Sequence, residues 1–394
     1  MRFFPSLSLV VRLSGPVLVP CLVACSSDGG ATSSTEEGAA RPVVERYAAV
    51  AQKGYAESLA KAKVMKSAID AFVAAPSQAG LDAARKAWLD ARDAYGQTES
   101  YRFYDGPIDD ERGPEGRVNG WPLDEAFIDY VEGNADAGIV NTAAALPALT
   151  KEGLAAENEK GGETNIATGW HAIEFLLWGQ DKSETGPGAR PFTDYVAGAA
   201  GPQKNASRRA AYLQTVTDLL VDDLDFVAKA WDAKLPGSYG AAFVAAPSQE
   251  SLTKAFKGIV QLAGFELSSE RMNNAYTKGD QEEEHSCFSD NTIADLVANA
   301  RAVENVYLGR WGTDDGPGLD ELVRAKAPEL DARVKAQLSK SLLAIGAIPA
   351  PFDQAVLREP GRSKVKAAID EEKALAALLV EAGKAVGVTV NIDE

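Results

Sequence analysis

Seven residues, Phe72-Val73-Ala74-Ala75-Pro76-Ser77-Gln78, recur as Phe243-Val244-Ala245-Ala246-Pro247-Ser248-Gln249, 171 positions further along the chain. The proline ends a helix, because the residue before a proline is pushed out of the helical region. The serine after it is a favoured N-cap for a new helix. A chain with two copies must therefore form a helix, a break and a second helix in two places. The apolar period elsewhere is also helical. Leu213, Val216, Leu220, Leu224, Val227 and Trp231 are spaced by threes and fours, behind a candidate N-cap at Ser207. Ala84, Trp88, Ala91 and Tyr95 form a similar stripe, and alternating runs of β type are scarce. The chain reads as all-α, with two duplicated halves related by a pseudo-two-fold axis. At the same offset Glu99 falls on Glu270. With a shifted offset, Asp124 and Asp129 match Asp290 and Asp295.

The ends set the boundaries. Arg2, Arg12 and an apolar stretch ending in Leu22-Val23-Ala24-Cys25 form a targeting leader, residues 1–24, too short and too interrupted by Pro16 and Pro20 to span a membrane comfortably. The last four residues resemble a bacterial lipobox, in which Cys25 is lipidated and becomes the first mature residue. An ordinary signal peptide cleaved elsewhere is the alternative. Residues 25–42 hold little to bury and read as a disordered tether. Helical halves follow at 43–190 and 191–394, with the Gly- and Pro-rich stretch 179–205 as the crossover. The expected location is the cell envelope, anchored in a membrane through Cys25. The outer membrane, on its periplasmic face, is expected if the cell is Gram-negative.

The net charge is −17, and loss of the leader's two arginines makes it more negative. That argues against nucleic acid as a partner. The chain has three cysteines. With Cys21 in the leader and Cys25 lipidated, only Cys287 remains, so no intrachain disulfide and no thiolate-rich zinc site can form.

Both histidines of the chain lie beside carboxylates. In Gly169-x-His171-x-x-Glu174 the His and Glu share one face of a helix that is apolar all round and so should be buried. They can bind one cation, divalent or ferric, or they can form a hydrogen bond that locks two helices. Imidazole with carboxylate suits iron or zinc better than calcium. Glu282-x-x-His285 has the spacing found in di-iron bundles, but the second such motif is missing. Ser289-Asp290-Asn291-Thr292 reads as a helix start, and Cys287 as a small buried apolar residue. Residues 101–124 hold too many Gly, Pro and Asp for a helix and too many aromatics for a floppy loop. They read as an ordered irregular segment that carries function or packs as a long connection. Their Asp105 and Asp124 are candidate site residues.

Tyr101 to Asp109, Trp121-Pro122-Leu123-Asp124-Glu125-Ala126-Phe127-Ile128-Asp129-Tyr130-Val131, the Gly-x-His-x-x-Glu motif and Asp280 to Thr292 together resemble the imelysin-like family of bacterial cell-envelope proteins, over residues 43 to 387. The resemblance implies two duplicated four-helix-bundle domains with a site near His171 and Glu174 at their junction. It implies a role in iron acquisition, alongside other iron-uptake components, and the family is also classed as a metallopeptidase family. One His and one Glu fall short of the three protein ligands of a catalytic zinc. Glu99, Glu270, His285 and Asp290 are candidates to complete a metal site there, and Arg102 and Ser286 could bind an anionic group.

Overall fold

The computed structural model describes residues 28–198 and 204–392; the leader and Cys25 lie outside them. Eight long helices carry the architecture: α1 Asp28–Ala74, α2 Gln78–Gly96, α3 Gly169–Trp178, α4 Ala206–Ala230, α5 Ser248–Gln261, α6 Thr292–Leu308, α7 Pro328–Gly346 and α8 Gly361–Ala385. The fold is all-α. Among the described residues the strands are one antiparallel pair, with Arg310 opposite Asp315 and Trp311 opposite Asp314. No helix among them is long and apolar enough to cross a membrane.

Two apolar cores organise these helices. The first takes Met65, Ile69 and Phe72 of α1, Leu81, Trp88 and Tyr95 of α2, nearly all of α3, and Leu213, Val216 and Leu220 of α4. The second takes residues from α5 to α8 and from the first half of α1, such as Val43, Val44 and Tyr55. Helix α1, about 70 Å long at 1.5 Å per residue, runs through both. The boundary expected between residues 190 and 191 is therefore not where the cores divide. Helix α4 follows that boundary in sequence yet buries its stripe in the first core, with only its end, Val227 to Trp231, in the second.

The repeated heptad sits at the same kind of break twice. Helix α1 ends at Ala74 and Ser77 caps α2 by accepting from Gly80 N at 3.2 Å. Its counterpart ends the short helix Tyr239–Ala245, and α5 begins at Ser248. There Ser248 does not cap its own helix; its hydroxyl donates to Glu37 at 2.8 Å. Glu37 belongs to the stretch expected to be a disordered tether. From Asp28 onward that stretch is instead the first turns of α1. Glu36 pairs with Lys326 at 2.8 Å and Arg41 donates to Ala246 O at 2.9 Å. Polar contacts to residues around the second core hold the segment, and a reading based on its low hydrophobicity misses them.

Helix α5 does not stop at Gln261. It continues through Leu262–Asn273 with a wider winding and then through Asn274–Lys278. The wide turn carries i to i+5 bonds, as from Asn274 N to Ser269 O. Such windings displace side chains from the regular helical stripe. Gly258 lets this helix approach the first half: a Cβ there would stand 2.1 Å from Ser100 O. That contact brings Glu99 against this helix and its continuation, within reach of Arg271.

Candidate functional site

Helix α3 starts with its glycine because nothing else fits. Gly169 has φ +85°, and a Cβ would meet Val118 O at 2.4 Å and Arg117 O at 2.6 Å. Thr168 secures the start by donating to Arg117 O at 2.9 Å. The next turns place His171 and Glu174, both wholly buried, on the face toward the turn that carries His285 and Ser289. His171 Nδ1 lies 3.0 Å from Glu174 Oε2, and Glu174 Oε1 accepts from Ser289 N at 2.9 Å and Ser289 Oγ at 2.6 Å. The expected meeting of the His171–Glu174 pair with the 280–292 segment is thus present.

His285 meets His171 edge to face, ring centroids 4.8 Å apart. Its Nδ1 lies 3.3 Å from Asp295 Oδ2 on α6. Each imidazole thus has its own carboxylate, and between them lies Arg92 of α2. The Arg92 guanidinium is 3.5 Å from His171 Nε2 and 3.3 Å from His285 Nδ1, and it pairs with Asp295 at 3.2 Å. Arginine is a permanent donor. Facing Nε2, it places the proton of neutral His171 on Nδ1 and makes Glu174 the acceptor. Burial first, then Arg92 and the other imidazole, hold His171 well below its ordinary pKa. Burial, Arg271 and Arg92 do the same to His285. Burial pushes Glu174 up to about 8 against the Ser289 donors.

A second layer joins this one through Asn119, which accepts from Arg92 at 2.5 Å and donates to Glu99 at 3.4 Å. Glu99 receives Arg102 at 2.7 Å and Arg271 at 2.8 Å. Burial works against its charge, but Arg102, Arg271 and Arg92 overcome it and hold the pKa at about 2. Arg102 also binds Glu115 at 2.9 Å, and Arg271 binds Glu266 at 2.9 Å. The junction therefore holds three guanidiniums, Arg92, Arg102 and Arg271, against four carboxylates, Glu99, Glu115, Glu266 and Asp295.

The cluster opens to solvent through a cleft of about 350 Å³. Its walls carry five carboxylates (Glu115, Glu159, Glu266, Glu270, Glu283) and two guanidiniums (Arg102, Arg271), with His285 and Trp121 beside them. Trp121 also lies against the His171 ring, centroids 4.9 Å apart.

Several candidates find other places. Asp105 is exposed, in a left-handed turn at φ +55°. The carboxylate that orders that turn is Asp109, accepting from Tyr104 N at 3.2 Å and Gly106 N at 2.7 Å. Asp124 is exposed and caps residues 125–128 by accepting from Ala126 N at 2.9 Å. Neither belongs to the junction. Arg102 is committed to carboxylates, and Ser286 Oγ donates to Asp295 at 2.5 Å, so neither is available for an anion. The repeat singled out Glu270, which lines the cleft, but the side chain that grips Glu99 is the next residue, Arg271.

The His171–Glu174 pair is not arranged as a chelate. Both Glu174 oxygens are occupied, and a guanidinium faces the remaining nitrogen of His171. A cation at that position would stand beside Arg92. Glu174 acts here as the group that orients His171. Among the described residues, the donors that do converge at metal-ligand spacing are carboxylate oxygens of Glu284, Asp290 and Asp353, all within 4.8 Å of one another.

Comparison with known proteins adds the family. The family model for imelysin, designated a peptidase family, matches residues 51–379. Iron-regulated protein A of Synechococcus elongatus is 26% identical over 320 residues, covering 79% of this chain and 76% of that protein. Two crystal structures share the fold. One is described as an iron-regulated protein A precursor from Parabacteroides distasonis, with TM-score 0.71, 20% identity, and coverage of 89% of this chain and 95% of that one. The other is an imelysin-like protein from Psychrobacter arcticum, with TM-score 0.66, 14% identity, and coverage of 91% and 98%.

Proposed function

The chain belongs to the imelysin family, and on that premise we propose that it is a cell-envelope protein of iron acquisition that binds a cation in the junction cleft and does not hydrolyse peptides. The observation that carries this is the cleft itself. Five carboxylates face two guanidiniums around His285, and both guanidiniums are already paired with Glu99, Glu115 and Glu266. The field in the cleft favours a cation, and the neutral imidazole of His285 supplies a nitrogen donor suited to iron or zinc once Arg92, which stands 3.3 Å from its Nδ1 and 3.4 Å from its Nε2, turns aside. His171 and Glu174 stand behind His285 and hold its surroundings in place. The name of the Synechococcus relative, iron-regulated protein A, supports a link to iron. The heptad at an equivalent break in each half supports reading the two bundles as copies. A lipid anchor at Cys25 would hold the protein at a membrane, within reach of other uptake components. An acylated Cys25 at the mature N-terminus, read by mass spectrometry, is the expected result.

Peptidase chemistry has less support. A catalytic zinc takes three protein ligands and an open position. Among the described residues no third His or carboxylate converges with His171 or His285 at metal-ligand spacing. Calorimetric titration of untagged protein with iron and with zinc, beside a peptide-hydrolysis assay with and without chelator, tests the reading. Binding that weakens in His285→Ala, without turnover, is expected. Turnover abolished by the chelator, or equal heats from wild type and His285→Ala, overturns it.

A further inference from the structure

At the two ends of the 284–290 turn stand acids that the cleft does not use. Glu284 is wholly buried, and neither of its carboxylate oxygens has a hydrogen-bond partner. Asp353, Asp290 and Glu174 stand near it as further acids, and the Thr292 hydroxyl lies beside it. Asp353, on the short helix Phe352–Leu357, is 3% exposed and has an unpartnered Oδ1. Asp290 Oδ1 and Gln354 Oε1 are unpartnered as well. No guanidinium or ammonium pairs with Glu284, Asp290 or Asp353 among the described residues. Buried carboxylates without a counter-charge are expensive, and folded chains pair them or give them a metal.

From this geometry we infer that Glu284, Asp290 and Asp353 form a binding site for a hard divalent cation of calcium size, which ties the turn carrying His285 to the second bundle. Three features select that class. The donors are oxygens only, with no imidazole or thiolate, which suits calcium or magnesium rather than zinc. Their mutual separations stay within 4.8 Å, and two ligands on opposite sides of a calcium ion stand about 4.8 Å apart at calcium–oxygen distances near 2.4 Å. Gln354, beside Asp353 on the same short helix, also has an unpartnered neutral oxygen, its Nε2 being bonded to Asp353 Oδ2 at 2.6 Å. Asp290 follows Ser289, which holds Glu174, and Glu284 precedes His285. An ion here would fix both ends of the turn on which the cleft depends. The site stands on its own residues and does not rest on the iron reading.

The test is a calorimetric titration of chelator-treated, untagged full chain with calcium chloride at pH 7.5, with thermal melts alongside. One site per chain and a rise in Tm of several degrees on adding calcium are expected. Affinity should fall at least tenfold in Asp353→Asn and in Glu284→Gln. In chelator both variants should melt no lower than wild type, since each removes repulsion, so a lost calcium response is not a folding failure. Glu270→Gln, which alters only the cleft, should leave the calcium heat unchanged, so that this site and the cleft can fail separately. The inference is overturned if wild type shows neither heat nor a Tm shift, as a cluster that merely stays protonated would. It is overturned equally if Asp353→Asn binds calcium as wild type does, or if magnesium binds more tightly than calcium.

Discussion

Asp129 and Glu284 are both fully shielded from water, yet their surroundings are opposite. Asp129 sits beside the first core between Arg190 at 2.8 Å and Arg209, whose Nη2 donates to it at 2.9 Å, with Asp194 completing two carboxylates for two guanidiniums. Burial opposes its charge, but Arg190 and Arg209 hold its pKa below the ordinary range. That cluster balances its charges, and it holds segments around the first core together. At the junction between the cores the acids exceed the bases, a cleft opens beside them, and one acidic group has no counter-charge. Charge that is balanced inside a core reads as architecture; charge left over at a junction reads as a place for a cation.

The largest effect expected from breaking this contrast is at Asp129. Asp129→Asn removes one of the two carboxylates that balance a pair of buried guanidiniums, the one that Arg190 and Arg209 share, and should cost about 3–5 kcal/mol of stability, read as a fall in the denaturation midpoint. Metal titration on the folded fraction should be unchanged. If Asp129→Asn left stability intact but abolished metal binding, the division between the two regions would be wrong.

A lone buried carboxylate sharpens the comparison. Glu372 of α8 is wholly buried, with no partner for either oxygen. Burial lifts its pKa to about 8, against the Ser341 hydroxyl. Among the described residues no other acid stands beside it to share an ion, and it keeps a proton instead. The folded state then binds a proton that the unfolded state has lost, from the unfolded carboxyl value near 4.5 up to about 8. Its contribution to stability falls across that window and is lowest above it. Glu372→Gln should therefore be more stable than wild type at pH 9, by about 5 kcal/mol, and nearly equal at pH 5. Melts that shift alike at both pH values would contradict this.

Effects within the cleft should be smaller in stability and larger in binding. His285→Ala should lose at least tenfold in iron affinity, about 1.4 kcal/mol. Glu270→Gln removes one exposed wall charge and should weaken iron by about threefold, less at high salt, because surface charges are screened. A loss in Glu270→Gln greater than in His285→Ala would make the carboxylate wall, not the imidazole, the principal donor.

The helical class and the repeated break were legible because they depend on local spacing. So was the shared face of His171 and Glu174, fixed by their separation of three. The environment that decides what those two do was not. Arg92 lies within an apolar helix stripe, beside Ala91 and Tyr95, and nothing local says that its guanidinium ends between two distant imidazoles. Its one signal is a charged residue flanked by core positions. Asp353 follows a proline-rich turn far from Glu284, and only the packing of the second bundle brings them together. The start of α1 was misread for a related reason: its hold on the second bundle is a set of long-range polar contacts, which composition does not record.

The claim that the junction cleft binds a cation through His285 is tested most directly by anomalous diffraction at the iron edge from crystals of untagged protein exposed to iron. The account predicts an anomalous peak in the cleft within bonding distance of His285, absent from His285→Ala. A map without a peak at His285, or with the same peak in both proteins, would contradict it.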